Sequence, residues 1–262
     1  MIIKSLINMS ILHNSCTFES MRGIRMQESK MELMMQGHEI WLETSKADGK
    51  EIELALMYGH NMRQDGIADA RRLKAFNYPP DGSKLDLAII PDEKRYLLRF
   101  NADAEGSYAV IVDMESTILC KTKDGNKRGP RSQFKDVTYA GAFHQMAKIL
   151  CPVGGNGKYS GQVVHGILET VPSKPWCQVG QASEMQVFYE GKPLAFAEVK
   201  AVSQKEGKEM ALVKADDQGK VSIPVTTDGE WMFLVRHKDP SKKVNDMFDE
   251  SVFVSTLVML TK

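Results

Sequence analysis

Short runs of alternating apolar and polar residues, separated by turns rich in glycine and proline, recur along most of this chain of 262 residues. In residues 51–58, Ile52, Leu54, Leu56 and Tyr58 fall on one face of an extended segment. A period of two is typical of a β-strand with one buried face. Many short strands at close spacing predict an all-β protein built from sandwiches.

The same pattern predicts strands throughout both halves of the chain. In residues 106–114, a turn glycine and Tyr108 precede an alternating apolar run, an order common before a late strand of an immunoglobulin-like sandwich. The predicted strands are residues 38–43, 51–58, 85–91, 95–100, 109–114, 184–189, 194–202, 210–215, 220–225, 230–237 and 251–260.

Residues 134–150 form the one helical candidate. Phe143, Met146, Ala147 and Leu150 follow the i, i+3, i+4, i+7 spacing of an amphipathic helix. Residues 151–157 contain one proline and three glycines, which favours a linker. We therefore predict two domains, at 37–153 and 154–262, with the helix just before the linker. Residues 13–36 are polar, methionine-rich and without a period, and we expect residues 1–36 to be poorly ordered or a mis-assigned N-terminal segment.

Charge and hydropathy bear on partners and location. Lys+Arg is 34 and Asp+Glu is 34, so the formal net charge is zero. A neutral chain has no long-range attraction to nucleic acid or to anionic lipid. No run of about 18 apolar residues is present, so no membrane span is expected. The apolar tract in residues 1–12 is short and interrupted, which makes it a poor signal-peptide core.

Four cysteines occur, and none forms a CxxC pair, which argues against a zinc ribbon or a thioredoxin motif. Cys151 and Cys177 flank the glycine-rich connection. They are candidates for a disulfide in an oxidising compartment, or equally for small buried thiols.

Histidines mark the ends of three predicted strands. His38 opens the strand in GHEIWLE (37–43), and His60 closes the next strand in YGH (58–60). Imidazole is a common ligand of late transition metals, and two imidazoles on neighbouring strand ends can converge on one ion. His237 ends an apolar stripe, where it is either a polar terminus or a third ligand. Glu39 and Glu43 are either exposed strand residues or acceptors that orient a histidine.

Several segments in a fixed order resemble the DUF4198 family of extracytoplasmic proteins found with nickel and cobalt uptake systems. The match covers roughly residues 37–262, and the second half also resembles transthyretin-like, carboxypeptidase-regulatory-like modules. The matching segments are GHEIWLE (37–43), YGH (58–60), GSYAVIV (106–112), HQMAKIL (144–150), LETVPSKP (168–175), GKPLAFAEVKA (191–201) and DDQGKVSIPVTTDGEWMFLVRHK (216–238).

The resemblance implies an immunoglobulin-like sandwich followed by a transthyretin-like one, located in the periplasm or outside the cell. It implies binding of a divalent transition metal, nickel or cobalt before copper or zinc, and delivery to a membrane metal-uptake transporter. The family's histidines fall on His38, His60 and His237. In many relatives signal-peptide cleavage leaves the first histidine at the new N-terminus. Here Met35, Gln36 and Gly37 do not form a typical cleavage site.

Two other classes of function compete with metal binding. A structural or adhesive sandwich would dock a protein or glycan through exposed aromatic residues such as Trp41, Trp176 and Tyr189. An enzyme is the least favoured class, because the sequence contains no GxSxG, HExxH, P-loop or GxGxxG motif. We therefore expect a protein without catalytic activity.

Overall fold

A computed structural model describes residues 37–154 and 165–262 and confirms the all-β class. Within these ranges the chain forms strands joined by short turns, with three single-turn 3-10 helices at Ala70–Arg72, Arg131–Gln133 and Pro240–Lys242. The strands are β1 (Glu39–Asp48), β2 (Glu51–His60), β3 (Arg63–Gln64), β4 (Leu73–Tyr78), β5 (Leu85–Leu87), β6 (Ile90–Asp92), β7 (Arg95–Asn101), β8 (Gly106–Thr122), β9 (Gly125–Arg128), β10 (Val137–Val153), β11 (Leu168–Pro172), β12 (Ala182–Tyr189), β13 (Lys192–Pro193), β14 (Glu198–Ser203), β15 (Lys208–Lys214), β16 (Lys220–Pro224), β17 (Glu230–Asp239) and β18 (Glu250–Leu260).

The strands of the described ranges form three sheets. The N-terminal sheet has the order β1-β2-β7-β6, with β3 beside β2. The central sheet has the order β15-β14-β17-β18-β10-β8-β4-β5, with β9 beside β8. The C-terminal sheet has the order β11-β12-β13, with β16 beside β12. The pairs are antiparallel except β10 and β18, which run parallel.

The central sheet is buried on both faces. In β17, Met232 and Leu234 pack in one core with Leu54 of the N-terminal sheet. Trp231 and Phe233, which point the other way, pack in a second core that contains residues of the C-terminal sheet. Because successive side chains of a strand alternate between faces, each core belongs to one face of the central sheet. Two sandwiches therefore share one middle layer.

The helix predicted over residues 134–150 is wrong, because residues 137–150 lie in strand β10. Met146 and Leu150 point into the core on the C-terminal side, and Ala147 and Ile149 point into the core on the other side. A strand with two buried faces carries apolar residues at both odd and even positions. Such a run also contains the spacings of an apolar helical stripe, and periodicity does not separate the two.

The predicted domain boundary at residue 153 falls at the end of β10. Strand β10 pairs with β18 from the second half, from Gly141 opposite Glu250 to Ile149 opposite Val258. The described strands of both halves lie within one compact unit, Glu39–Lys262. The boundary thus separates two stretches of sequence that contribute to the same central sheet. The predicted disorder of residues 1–36 and the linker from 155 onward lie outside the described residues.

Two local predictions concern Tyr108 and the cysteines. The Tyr108 ring is buried, and its hydroxyl accepts from the N–H of Ala104 at 2.9 Å and donates to the Ala104 carbonyl at 3.1 Å. This is the tyrosine arrangement of immunoglobulin-like sandwiches. Cys151 and Cys177 are free buried thiols that lie in opposite cores. Of the two alternatives for this pair, a disulfide or two buried thiols, the structure contains the buried thiols. Burial raises the pKa of Cys151 to about 12 and that of Cys177 to about 11.

Candidate metal centre

The end of β2 turns tightly into β3 and fixes the position of His60. Gly59 pairs with Gln64 and His60 pairs with Arg63, leaving Asn61 and Met62 as the turn. Both turn residues have positive φ, 52° and 58°, as in the two-residue turns that match the twist of a hairpin. A Cβ atom at Gly59 would lie 2.2 Å from the Arg63 carbonyl oxygen. The glycine before His60 is therefore required by the close approach of the two strands.

His38 reaches the same end of the sheet through its neighbour in the chain. His38 is bonded to Glu39, the first residue of β1, and Glu39 lies opposite Gly59. Both histidines thus stand next to one cross-strand pair. The possible ligand atoms of His38, His60 and Asp65 all lie within 4.8 Å of one another. Among the described residues this is the one group of three His, Cys, Asp or Glu side chains with that geometry.

Asp65 was not a candidate from the sequence. Its Oδ2 lies 2.7 Å from Nδ1 of His60, and its backbone N–H donates to the Tyr58 carbonyl at 3.3 Å. The aspartate side chain is 47% exposed, whereas that of His60 is 15% exposed. Methionine is not a typical turn residue, so the turn at Asn61 and Met62 gave no signal that the chain folds back beside β2.

Glu39 lies directly beneath this hairpin, with 1% of its surface exposed. Its Oε1 accepts from the Asn61 N–H at 2.7 Å, and its Oε2 accepts from Nη2 of Arg236 at 2.7 Å. Nζ of Lys200 donates to Oδ1 of Asn61 at 2.5 Å. Burial lowers the pKa of Arg236 and that of Lys200, and the charge of Glu39 opposes both shifts. The prediction that Glu39 is an exposed strand residue is wrong. Its contact next to His60 is with the backbone N–H of Asn61.

His237 does not join His38 and His60. Arg236 points from β17 toward Glu39, so the next residue, His237, points to the opposite face of the central sheet. Its ring centroid lies 4.3 Å from that of Tyr189, whose hydroxyl donates to Asp239 at 2.6 Å. Burial lowers the pKa of His237, although Asp239 opposes this shift. The prediction that His237 is the third ligand is therefore corrected. The third residue of the cluster is Asp65.

The aromatic residues considered for docking are less exposed than predicted. Trp41 is completely buried, and its Nε1 donates to Oε1 of Glu43 at 2.6 Å. Trp176 and Tyr189 are half-buried. Burial raises the pKa of Glu43, and the hydrogen bond from Trp41 opposes that shift. Glu43 accepts from the indole of Trp41, and among the described residues it makes no hydrogen bond to a histidine.

Fold and site together define an all-β sandwich protein with two histidines and an aspartate gathered at one sheet end. The chain belongs to the family described as "Domain of unknown function (DUF4198)", whose sequence profile matches residues 35–239. A search of curated proteins gave no match. In the described part of the chain, the helices are far too short to cross a bilayer.

Three solved structures show distant similarity. A two-domain fibronectin type III segment from chicken tenascin is 14% identical over 85% of this chain and 99% of its own, with a TM-score of 0.25. A BSP domain of a biofilm-associated protein is 11% identical over 85% and 29%, with a TM-score of 0.22. A fragment of native α-2-macroglobulin from Escherichia coli is 12% identical over 83% and 98%, with a TM-score of 0.21. All three TM-scores are low.

Proposed function

We propose that this protein binds a divalent transition metal ion through the imidazoles of His38 and His60 and the carboxylate of Asp65. The observation that carries the proposal is the gathering of these three ligand atoms within 4.8 Å. Ligand atoms about 2.0–2.2 Å from one ion are separated from each other by less than this distance. Small side-chain rotations are therefore enough to close the group around a metal.

The donor atoms select a class of metal. Two neutral imidazoles suit nickel, cobalt, copper and zinc, whereas calcium and magnesium prefer an all-oxygen environment. Oδ2 of Asp65 and Nδ1 of His60 lie 2.7 Å apart, close enough to be two ligand atoms of one ion. Nickel and cobalt are favoured over copper and zinc by the resemblance of the sequence to proteins of metal-uptake systems.

The resemblance of the sequence to proteins of metal-uptake systems favours transport as the role of this site. Three ligands leave coordination positions to water or to groups of a receiving protein, which permits transfer of the ion. We infer that the ion is cargo, held in the periplasm or outside the cell and passed to a membrane importer. We also infer that the second half of the chain is a transthyretin-like domain. No catalytic step is part of it.

Calorimetric titration of the metal-stripped full chain with nickel, cobalt, zinc and copper at pH 7.5 tests the proposal. We expect saturable binding near one equivalent, lost in the double variant H38A/H60A. The matched control is H237A, because His237 lies on the opposite face of the central sheet. Unchanged affinity in the double variant, or loss of binding in H237A, would overturn the assignment.

A non-enzymatic structural or adhesive module is the second candidate. Phe196 is 57% exposed and Leu212 is 58% exposed, and Phe196 has a φ of 59°, a costly conformation for a bulky residue. Exposed apolar residues of this size suit a contact with another protein. A chain that binds none of the four metals, and whose melting temperature none of them raises, would favour this candidate.

A further inference from the structure

A cleft of about 790 Å³ lies on the C-terminal side of the central sheet, away from the metal centre. Its floor is formed by residues of β4, β8, β10 and β18, and its rim by residues 165–168 and 190–191. This volume lies in the range of small-molecule sites. Nothing in the proposed metal function uses it.

The floor of the cleft changes charge from one strand to the next. Arg72 ends the 3-10 helix just before β4, Lys74 lies in β4, and Asp113 and Glu115 lie on the neighbouring strand β8. Lys74 is directly opposite Asp113 in the antiparallel pair. Neighbouring strands are about 4.8 Å apart, so a row of cations runs beside a row of carboxylates. This spacing suits one ligand that carries both charges.

The next two strands supply an apolar and aromatic surface. Met146 of β10 lies opposite Asp113, on the far side from Lys74. The ring of His144 stacks on Phe253 of β18, with centroids 4.6 Å apart and planes inclined by 16°. Across the floor the order is therefore cation, carboxylate, then apolar and aromatic side chains. A stacked aromatic pair offers a flat face to another ring.

A buried polar network holds the carboxylate of the floor in place. Asp113 Oδ2 contacts Nε2 of His165, whose Nδ1 lies 2.5 Å from the Tyr78 hydroxyl. The backbone N–H of His165 donates to Glu169 at 3.1 Å, and Glu169 pairs with Lys148 at 2.5 Å. Lys148 and Glu169 are almost fully buried, which is costly for an ion pair. Such a network favours a single arrangement of the groups it connects.

We propose that this cleft binds a free α-amino acid with an apolar or aromatic side chain. Its carboxylate would pair with Arg72 and Lys74, its ammonium with Asp113, and its side chain would lie on Met146 and Phe253. An α-amino acid carries these three groups on one carbon, so they can contact neighbouring strands of the floor together. A carboxylate accepts on both oxygens, so Asp113 accommodates an ammonium while it contacts His165.

Calorimetric titration of the metal-stripped full chain with four probes tests this site. L-phenylalanine and L-leucine carry both charges, N-acetyl-L-phenylalanine lacks the ammonium, and L-phenylalaninamide lacks the carboxylate. We expect the free amino acids to bind and each blocked analogue to bind about tenfold more weakly or worse, since hydrogen bonds to charged groups are the stronger ones. No binding by either free amino acid, or equal binding of the blocked analogues, would overturn the proposal.

Two variants assign the contacts to residues. K74Q should weaken the binding of L-phenylalanine about tenfold but leave the binding of L-phenylalaninamide, which has no carboxylate, unchanged. D113N should weaken the binding of L-phenylalanine about tenfold but leave the binding of N-acetyl-L-phenylalanine, which has no ammonium, unchanged. K127Q is the matched control, because Lys127 is an exposed lysine in β9 of the same sheet. Lys74 is also exposed, so K74Q is informative even if D113N does not fold. H60A should bind L-phenylalanine as the parent does, and equal effects of K74Q and K127Q would contradict the site.

Discussion

The carboxylate of Glu39 accepts a hydrogen bond from the backbone N–H of Asn61, with 2.7 Å between Oε1 and N. Glu39 follows His38 in the chain, and Asn61 follows His60. One part-buried hydrogen bond therefore joins the side chain of the residue after one histidine to the backbone of the residue after the other. Arg236 holds the second oxygen of Glu39 and connects this junction to the central sheet.

The first prediction concerns Glu39 as a positioning residue of the metal centre. E39Q retains an oxygen for the Asn61 N–H but removes the negative charge that pairs with the largely buried guanidinium of Arg236. We expect a loss of about 3 kcal/mol in the free energy of unfolding, as for other broken buried pairs. Metal affinity should fall about tenfold, as it does when groups behind a ligand are removed. Denaturant unfolding and metal titration measure the two effects.

The matched control for E39Q is E53Q. Glu53 also lies in the N-terminal sheet and pairs with an arginine, Arg99, at 2.7 Å, but that pair is more open to solvent, with the Arg99 side chain 49% exposed and that of Glu53 16%. Exposed pairs contribute little to stability. E53Q should therefore change neither the free energy of unfolding nor the metal affinity measurably. Similar losses of stability and affinity in E39Q and E53Q would contradict a positioning role for Glu39.

The second prediction concerns pH. Protonated imidazole does not ligate a metal, and an ordinary imidazole is mostly protonated at pH 5.5. With two histidine ligands, affinity for nickel should fall on the order of 100-fold between pH 7.5 and pH 5.5. Titration calorimetry at both pH values measures this fall, with circular dichroism to verify that the protein stays folded. An affinity that is flat across this range would exclude a histidine site.

The third prediction concerns Asp65. D65N removes a carboxylate oxygen beside His60 but keeps a side chain of the same size. We expect metal affinity to fall by at least roughly 10- to 100-fold, because the variant removes a ligand and loss of a group behind a ligand already costs that much, with an unchanged melting temperature because Asp65 is exposed. D103N, at an exposed aspartate paired with Lys50, is the control. Parent-like affinity in D65N would limit the site to the two histidines.

The fourth prediction concerns Glu230, whose Oε1 accepts from the Thr44 N–H at 2.8 Å and whose Oε2 has no hydrogen-bond partner among the described residues. Burial, with a smaller effect from the charge of Glu43, raises the pKa of Glu230. The folded state then binds the proton more tightly than the unfolded state. The glutamate therefore reduces stability as the pH rises above its ordinary pKa and through the raised one.

E230Q removes this charge and keeps an acceptor for the Thr44 N–H. We expect its melting temperature to exceed that of the parent by a few degrees at pH 7.5, with the difference disappearing near pH 4. Thermal unfolding across this pH range gives the comparison. E198Q, at an exposed glutamate of β14, should match the parent throughout. A stability gain in E230Q that persists at pH 4 would mean that charge burial is not its cause.

The sequence predicted those parts of the fold in which one face of a strand is buried and the other is not. The alternation in residues 51–58 identified β2, and the required Gly59 marked the place where His60 ends that strand. The apolar pattern did not identify β10 as a strand, because Met146 and Ala147 point into different cores and the combined pattern of the two faces resembles that of a helix. Because successive side chains of a strand point to opposite faces, His237 points away from the metal centre when Arg236 points toward Glu39. Only the folded hairpin reveals Asp65, since no short-range pattern relates it to His60.

The parallel pairing of β10 with β18 has a consequence for how the chain folds. Gly141 and its partner Glu250 are separated by more than a hundred residues of sequence, so the middle layer closes only through a very non-local contact. Contacts of this kind slow folding. Until β18 arrives, β10 has an open, apolar edge, which is the kind of edge that pairs with other chains. A truncated first half should therefore aggregate rather than fold as an independent module, and the tendency to aggregate during refolding should increase with protein concentration.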